Sequence, residues 1–160
     1  MLGRLFASDL KALVNRAKQE ARRHLLTRTV TSIDELIDSC ELRTEYRTAA
    51  CELLTALGRT LKLDPGVLRA NDILGSCFTI EGERLGTGAT VVLRKYGPQT
   101  GIEVFGEDIL HVLEVRIDPA LWDTLSSSLP GPPRNDDDWI DLIMGFTVAE
   151  FLRHFAPILK

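Results

Sequence analysis

The chain has 160 residues, of which 44% are hydrophobic and 26% charged, and its formal net charge is −4. These values are ordinary for a single globular domain. No apolar run approaches the roughly 18 residues that a membrane-spanning helix needs, and the weakly apolar N-terminus is unlike a signal peptide. We therefore expect a small soluble protein of the cytoplasm, without a membrane span.

Positive charge is concentrated at the start of the chain. Residues 1–29 contain seven Lys or Arg and two acidic residues, whereas the remainder is strongly acidic. This division predicts a basic amphipathic N-terminal helix over residues 1–30, followed by a single domain over residues 31–160. We expect the basic face to be solvated or to fold back on its own acidic domain; phosphate or anionic lipid is the alternative ligand. Aromatic residues are not interleaved with the basic ones, so nucleic acid is not an expected partner.

Three helices are predicted in the first part of the chain. The first covers residues 8–27, because apolar residues recur there at steps of three and four. The second covers residues 33–40 and begins with a capping box formed by Ser32 and Glu35. The third covers residues 44–63 and ends at Pro65, which cannot continue a helix. The apolar stripe of the first helix consists of Leu10, Leu13, Val14, Ala17, Ala21 and Leu25.

A β-hairpin is predicted in the middle of the chain. Its strands cover residues 89–96 and 102–105, and its turn lies at Gly97-Pro98. Residues 106–117 fit a buried strand and a short helix equally well. The predicted fold class is therefore α+β: a mainly helical single domain with a small antiparallel β-hairpin inserted between helices.

Helices separated by a loop are predicted towards the C-terminus. Asp118 and Pro119 begin one that reaches residue 125. Residues 126–138 are rich in proline, serine and acid, which predicts a mobile loop. A short helix follows over residues 139–144, and the capping box of Thr147 and Glu150 begins the last one.

No residue pattern indicates a particular catalytic chemistry. The histidines His24, His111 and His154 lack the spacing of a ligand pair, and the cysteines Cys40, Cys51 and Cys77 lack the close pairs that zinc needs. We expect the cysteines to be small buried hydrophobes. The prediction is thus no catalytic residue, no metal and no cofactor. If the protein is nevertheless an enzyme, its cleft is expected to involve Asp108, His111 and Glu114.

Parts of the chain resemble an acyl carrier protein. Residues 61–75 contain Asp64-Pro65, Leu68, Asp72 and Leu74 in an order similar to the first loop of that family, after an amphipathic helix. Residues 105–114 are similar to the Gly-x-Asp-Ser-Leu motif that begins the family's second helix, and residues 146–155 to its last helix. Ile109 occupies the position of the serine that carries phosphopantetheine. The resemblance therefore implies a degenerate carrier-like module, and a working carrier would need another serine, Ser39 or Ser76.

These observations favour a non-catalytic interaction or adaptor protein. The expected partner is a protein, bound through the basic N-terminal helix or through an exposed apolar groove. A dimer formed through the N-terminal helix is an open alternative. An acidic dedicated chaperone or immunity-type protein with a specific client is the second class, and a functional acyl carrier with an atypical serine is the third.

Overall fold

A long helix, α1, Leu2–Leu26, begins the chain. It starts earlier than the predicted residue 8. Ala17, Ala21 and Leu25, on the predicted stripe, are fully buried in the core of the same chain.

The computed structural model describes residues 2–77, 79–80, 102–103, 105–129, 131 and 133–159. Of these, only the backbone is described at residues 2–10, 13–14, 79–80 and 102–103. The side chains of Leu10, Leu13 and Val14 thus lie outside the described part.

Part of the basic face of α1 contacts the body of the protein, and part is solvated, since Lys11, Arg16 and Arg23 are exposed. Lys18 Nζ lies 2.8 Å from Asp108 Oδ2. Lys18 Nζ and the Arg22 guanidinium carbon lie 5.8 and 5.7 Å from the centroid of the Phe105 ring, within the range of a cation–π interaction. Arg22 Nη1 also donates to the Leu61 carbonyl at 3.0 Å. The second half of α1 is therefore held by ionic and polar contacts as well as by its apolar stripe.

Two further helices follow as the sequence predicts. Helix α2, Ile33–Ser39, begins where the Ser32 hydroxyl accepts the Glu35 backbone N–H at 3.1 Å. A 3₁₀ turn, Thr44–Tyr46, leads into α3, Arg47–Leu61. Lys62 ends α3 in the left-handed conformation with a φ of 56°. Pro65 then begins another 3₁₀ turn, Pro65–Val67, instead of continuing the helix.

The predicted α+β fold class is wrong, because the described residues are mainly helical. Strand structure there is limited to one antiparallel pair of two-residue strands, β1, Thr79–Ile80, and β2, Ile102–Glu103. The first predicted hairpin strand, residues 89–96, and the predicted turn lie outside the described part. The ambiguous segment forms α5, Gly106–Glu114. Helix is favoured there because the buried Ile109, Leu110, Val112 and Leu113 have the spacing of a helix face.

The C-terminal part completes the set of eight α-helices in the described residues. After α4, Leu74–Cys77, and α5 come α6, Pro119–Ser128, and α7, Asp136–Gly145. Helix α8, Val148–Phe155, is followed by a 3₁₀ turn, Ala156–Ile158. Helices α6 and α7 include residues 126–128 and 136–138, so the connection is shorter than the predicted loop of 126–138. Its mobility stays a prediction.

One hydrophobic cluster joins the described helices. It extends from Ala17 in α1 to Ala156 and contains α3, α5 and α8 side chains at its centre. Helix α5 contacts α3 and α7, and α4 contacts α1 and α7. Residues 70–74 run beside residues 146–149, since Asp72 and Ala70 carbonyls accept the N–H groups of Val148 and Ala149 at 2.9 and 3.0 Å. This pairing fixes the loop after α3 between the end of α1 and the start of α8.

Candidate functional site

The residues proposed for a catalytic cleft all lie on α5. His111 and Glu114 are exposed, and the Asp108 carboxylate is paired with Lys18. A general base needs to lie within hydrogen-bond reach of the group that it deprotonates, inside a site that holds a substrate. The three side chains therefore form a partly paired surface of one helix.

The serines considered for a prosthetic group lie apart from the position that the resemblance indicates. Ser39 is exposed at the end of α2, where its hydroxyl donates to the Glu35 carbonyl at 2.9 Å, and Ser76 is exposed in α4. Ile109 is fully buried in α5. A prosthetic group at residue 109 would require that side chain to leave the core. The relation to acyl carrier proteins itself stays a prediction.

Metal-binding groups are not clustered in the part of the chain that the structure describes. No three His, Cys, Asp or Glu side chains approach closely enough there to hold a metal ion. His154 stacks on Phe146, with ring centroids 4.7 Å apart. Cys40 and Cys77 are buried as predicted, and burial raises the pKa of these thiols to about 11 and about 12, respectively. Cys51 is only half-buried. None of the described helices is long and apolar enough to cross a bilayer.

The most densely hydrogen-bonded feature is the junction between the end of α1 and the loop after α3. Arg28 Nη1 donates to Asp72 Oδ2 at 2.6 Å and to the Val67 carbonyl at 3.1 Å. The hydrogen bond to Asp72 raises the pKa of Arg28. Asp72 also accepts the Arg69 backbone N–H at 2.7 Å. One carboxylate thereby joins two segments that are more than forty residues apart along the chain.

A second layer of contacts tightens this junction. Arg69 donates to the carbonyls of Gly66 and Thr29 at 2.8 and 2.6 Å. The Thr31 backbone N–H donates to the Gly66 carbonyl at 2.9 Å. A Cβ at residue 66 would collide with the Thr31 carbonyl oxygen and lie 2.9 Å from Val30 Cγ1. Glycine is thus required for the two segments to approach this closely.

Exposed apolar residues lie next to the junction along the chain. Leu26, Val30 and Ile73 are 60%, 54% and 45% exposed, and they account for three of the five large hydrophobics exposed in the described part. Each lies within two residues of Arg28 or Asp72 along the chain, and the ion pair holds those two residues together. We call Leu26, Val30 and Ile73 the apolar patch.

Sequence reasoning did not identify the apolar patch. Leu26 lies next to the buried Leu25, and Val30 and Ile73 lie in segments interpreted as connections. A signal was nevertheless present for Leu26 and Val30, which are large apolar residues just outside the predicted stripe of the first helix, but not for Ile73, which lies well beyond the end of the predicted third helix. What the sequence could not supply is the contact between Arg28 and Asp72, which places the three residues around one junction.

Two surface grooves in the part of the chain that the structure describes are further candidate binding sites. One, of about 520 Å³, is lined by residues of the α6–α7 connection and of α7: Gly131, Pro133, Arg134, Asp138, Asp141 and Leu142. The other, of about 320 Å³, lies between α3 and the turn after α5. In the first groove, Asp138 is already engaged, because its Oδ2 accepts the Arg134 backbone N–H at 3.0 Å.

Comparison with known proteins gives no family for this chain: no family model matches it, and neither does a curated protein or a solved structure.

Proposed function

We propose that this chain is a non-catalytic interaction protein that binds a partner protein at the apolar patch. The observation that carries the proposal is the grouping of Leu26, Val30 and Ile73 around the Arg28–Asp72 ion pair. Single exposed apolar residues are common on protein surfaces, whereas several near one another are typical of an interaction site; each of these three lies within two residues of the ion pair along the chain. Binding would remove these side chains from water.

The charge next to the apolar patch indicates the kind of partner. Of the five basic residues at 16–28, three already contact the body of the chain, and Arg16 and Arg23 remain exposed. Arg23 is exposed there, and its partner Glu20 lies at the rather long distance of 3.5 Å. Complementary charge favours association and orients the partner. The proposed ligand is accordingly an amphipathic segment of another protein that presents apolar side chains beside carboxylates.

The hydrogen bonds of the junction favour this role. Arg28, Arg69 and Thr31 tie the segment that contains Val30 to the loop that contains Ile73. A surface already held in one arrangement loses less conformational entropy on binding than a mobile one. The junction thus lowers the cost of association without itself contacting the partner's apolar side chains.

The proposal retains two predictions from the sequence. The module is considered a degenerate relative of acyl carriers, without the attachment serine. The three free cysteines fit a reducing compartment, so we place the protein in the cytoplasm. An immunity-type or dedicated chaperone role is a special case, in which the bound segment belongs to a toxic or secreted client.

The test compares two aspartate substitutions in the full chain. Val30→Asp puts a charge in the apolar patch, and Val115→Asp is the matched control, since Val115 is 55% exposed directly after α5 and is not part of the patch. Partners are captured from the native host with each variant, and a photo-cross-linking residue at position 30 maps the contacted segment. We expect Val30→Asp to lose a stoichiometric partner that Val115→Asp and the unmodified chain retain.

The segment that is cross-linked from position 30 and the intact mass of the purified protein decide between the alternatives. Cross-links from position 30 to a segment with apolar and acidic side chains would support the proposal. Equal recovery by both variants, or cross-links to a basic segment, would contradict it. A dimer of this chain that Val30→Asp dissociates would make a second copy the occupant. A mass increase matching phosphopantetheine at Ser39 or Ser76 would instead indicate a working carrier.

A further inference from the structure

The smaller groove combines a thiol with two guanidinium groups. Its volume of about 320 Å³ is at the lower end of the range for small-molecule sites. Arg116 follows α5, and the other lining residues come from successive turns of α3. We call this site the arginine groove; its lining residues are Cys51, Glu52, Thr55, Ala56, Arg59 and Arg116.

The two arginines have donors available. Within the described residues, Arg59 is exposed and its side chain has neither a hydrogen bond nor an ion pair. Arg116 is half-buried and donates through Nη1 to the Val112 carbonyl at 3.1 Å, which orients its guanidinium and leaves Nη2 free. A guanidinium presents paired N–H donors that match the oxygens of a phosphate group. Two such groups at one groove are a suitable arrangement for an anion.

Glu52 opposes these charges from the same groove. Its carboxylate is exposed and has no ion pair in the described part of the chain. The groove therefore has two positive groups and one negative group, and an anion is attracted to the arginine side and repelled by Glu52. This arrangement makes a specific prediction, because neutralising Glu52 must strengthen the binding of an anion.

We infer that the arginine groove binds a small molecule that carries a phosphate group, through Arg59 and Arg116. This site is separate from the apolar patch, and the inference does not depend on the proposed function. Cys51 provides a way to detect the ligand. Cys51 lines the groove and is half-buried, whereas Cys40 and Cys77 are buried. Access governs cysteine reactivity, so Cys51 reacts first and a bound ligand that covers it slows its reaction.

The experiment measures the rate at which uncharged N-ethylmaleimide labels Cys51, followed by mass spectrometry on the full chain. Inorganic pyrophosphate is the probe, and citrate and chloride at matched ionic strength are the comparison anions. Pyrophosphate is expected to slow the labelling several-fold, and citrate to have a smaller effect. Arg59→Ala is expected to raise the half-protecting concentration by about tenfold, the effect of losing one charge-assisted partner. Glu52→Gln is expected to lower that concentration.

Arg43→Ala is the matched control, because it removes an exposed arginine outside the groove, paired loosely with Glu45 at 3.6 Å. It should leave protection unchanged. Equal loss of protection in Arg43→Ala and Arg59→Ala would show general charge attraction and overturn the inference. Labelling that pyrophosphate does not slow, or protection that Glu52→Gln weakens, would overturn it as well. Stronger protection by citrate would replace the phosphate with a carboxylate ligand.

Discussion

Asp72 is the side chain on which the junction depends. It accepts hydrogen bonds from Arg28 and from the Arg69 backbone, while its own carbonyl accepts the Val148 N–H. The carboxylate therefore connects the segment after α1 to the loop after α3, and the backbone of the same residue connects that loop to the start of α8. The Arg28 side chain retains 30% exposure, so solvent weakens the Coulomb attraction and the hydrogen-bond geometry matters more.

Replacement of this carboxylate should destabilise the fold. For Asp72→Ala we expect a loss of about 1–3 kcal/mol in the free energy of unfolding, the range for hydrogen bonds to charged groups. Urea denaturation measures it. The control is Asp34→Ala, whose carboxylate forms an exposed pair with Arg47 at 3.1 Å; such pairs contribute little. If both variants were equally stable, the junction would not hold the segments together.

Cys77 makes stability depend on pH in the alkaline range. Burial, with a smaller contribution from the Asp72 charge, raises the pKa of this thiol to about 12. An unfolded cysteine loses its proton near pH 8.5, so the unfolded state releases the proton first as pH rises. The stabilisation that the buried, protonated Cys77 thiol contributes is thus fully present below about pH 8.5 and is lost progressively towards pH 12.

Cys77→Ala should flatten this dependence. We expect the unfolding free energy of the variant to fall less steeply between pH 9 and pH 11 than that of the unmodified chain, although the variant is less stable at pH 7 because it leaves a cavity. Cys51→Ala, at a half-buried thiol, is the reference. Parallel pH profiles for Cys77→Ala and the unmodified chain would rule out this thiol as the titrating group.

At the scale of the element, the caps were predictable because they depend on neighbouring residues. Thr147 accepts the Glu150 backbone N–H at 3.1 Å and Glu150 accepts the Thr147 N–H at 3.2 Å, which completes the predicted capping box of α8. Asp118 and Pro119 likewise begin α6. The conformation of residues 106–114 was not predictable, because a short apolar run suits a strand or a helix until its packing partners are known.

Removing the N-cap hydroxyl of α8 tests how strongly such a cap contributes to the stability of the fold. Thr147→Ala should lower the unfolding free energy by about 0.5–2 kcal/mol, the range for an N-cap hydroxyl. The hydrogen bonds from Thr147 also hold the pKa of Glu150 below its ordinary value. The capping contribution is therefore present at neutral pH and is lost as pH falls through the pKa of folded Glu150.

Thermal denaturation at pH 7 and at pH 3 measures both effects. Ser127→Ala is the control, because its hydroxyl bonds only to the Asp123 carbonyl on the surface of α6. The difference between Thr147→Ala and the unmodified chain should shrink at the lower pH. A difference that is equal at both values would mean that the Thr147 hydroxyl does not influence the ionisation of Glu150, because the backbone N–H of residue 147 still donates to Glu150 in the variant.

At the scale of the whole molecule, the sequence predicted amphipathic α1 but left open what covers its stripe. Ala17, Ala21 and Leu25 are buried in the cluster that also contains Phe151 and Phe155 near the other end of the chain. A contact between residues so distant along the chain leaves no trace in local periodicity. The same limit applies to the apolar patch, since its members are brought together by Arg28 and Asp72 and not by spacing.

The burial of Leu25 within its own chain gives the last prediction. Leu25→Ala should lower the unfolding free energy by about 2–5 kcal/mol, the cost of truncating a core leucine. Leu26→Ala changes the adjacent residue, which is 60% exposed, and should have an effect within about 0.5 kcal/mol.

Protein concentration separates this arrangement from a dimer in which α1 packs on a partner. Because the same chain covers Ala17, Ala21 and Leu25, the urea midpoint should not change when the protein is diluted a hundredfold. Association that stabilises the folded state would shift the midpoint upward with concentration. A concentration-dependent midpoint that disappears in Leu25→Ala would show that the stripe is buried between chains, and that the second half of α1 belongs to an interface.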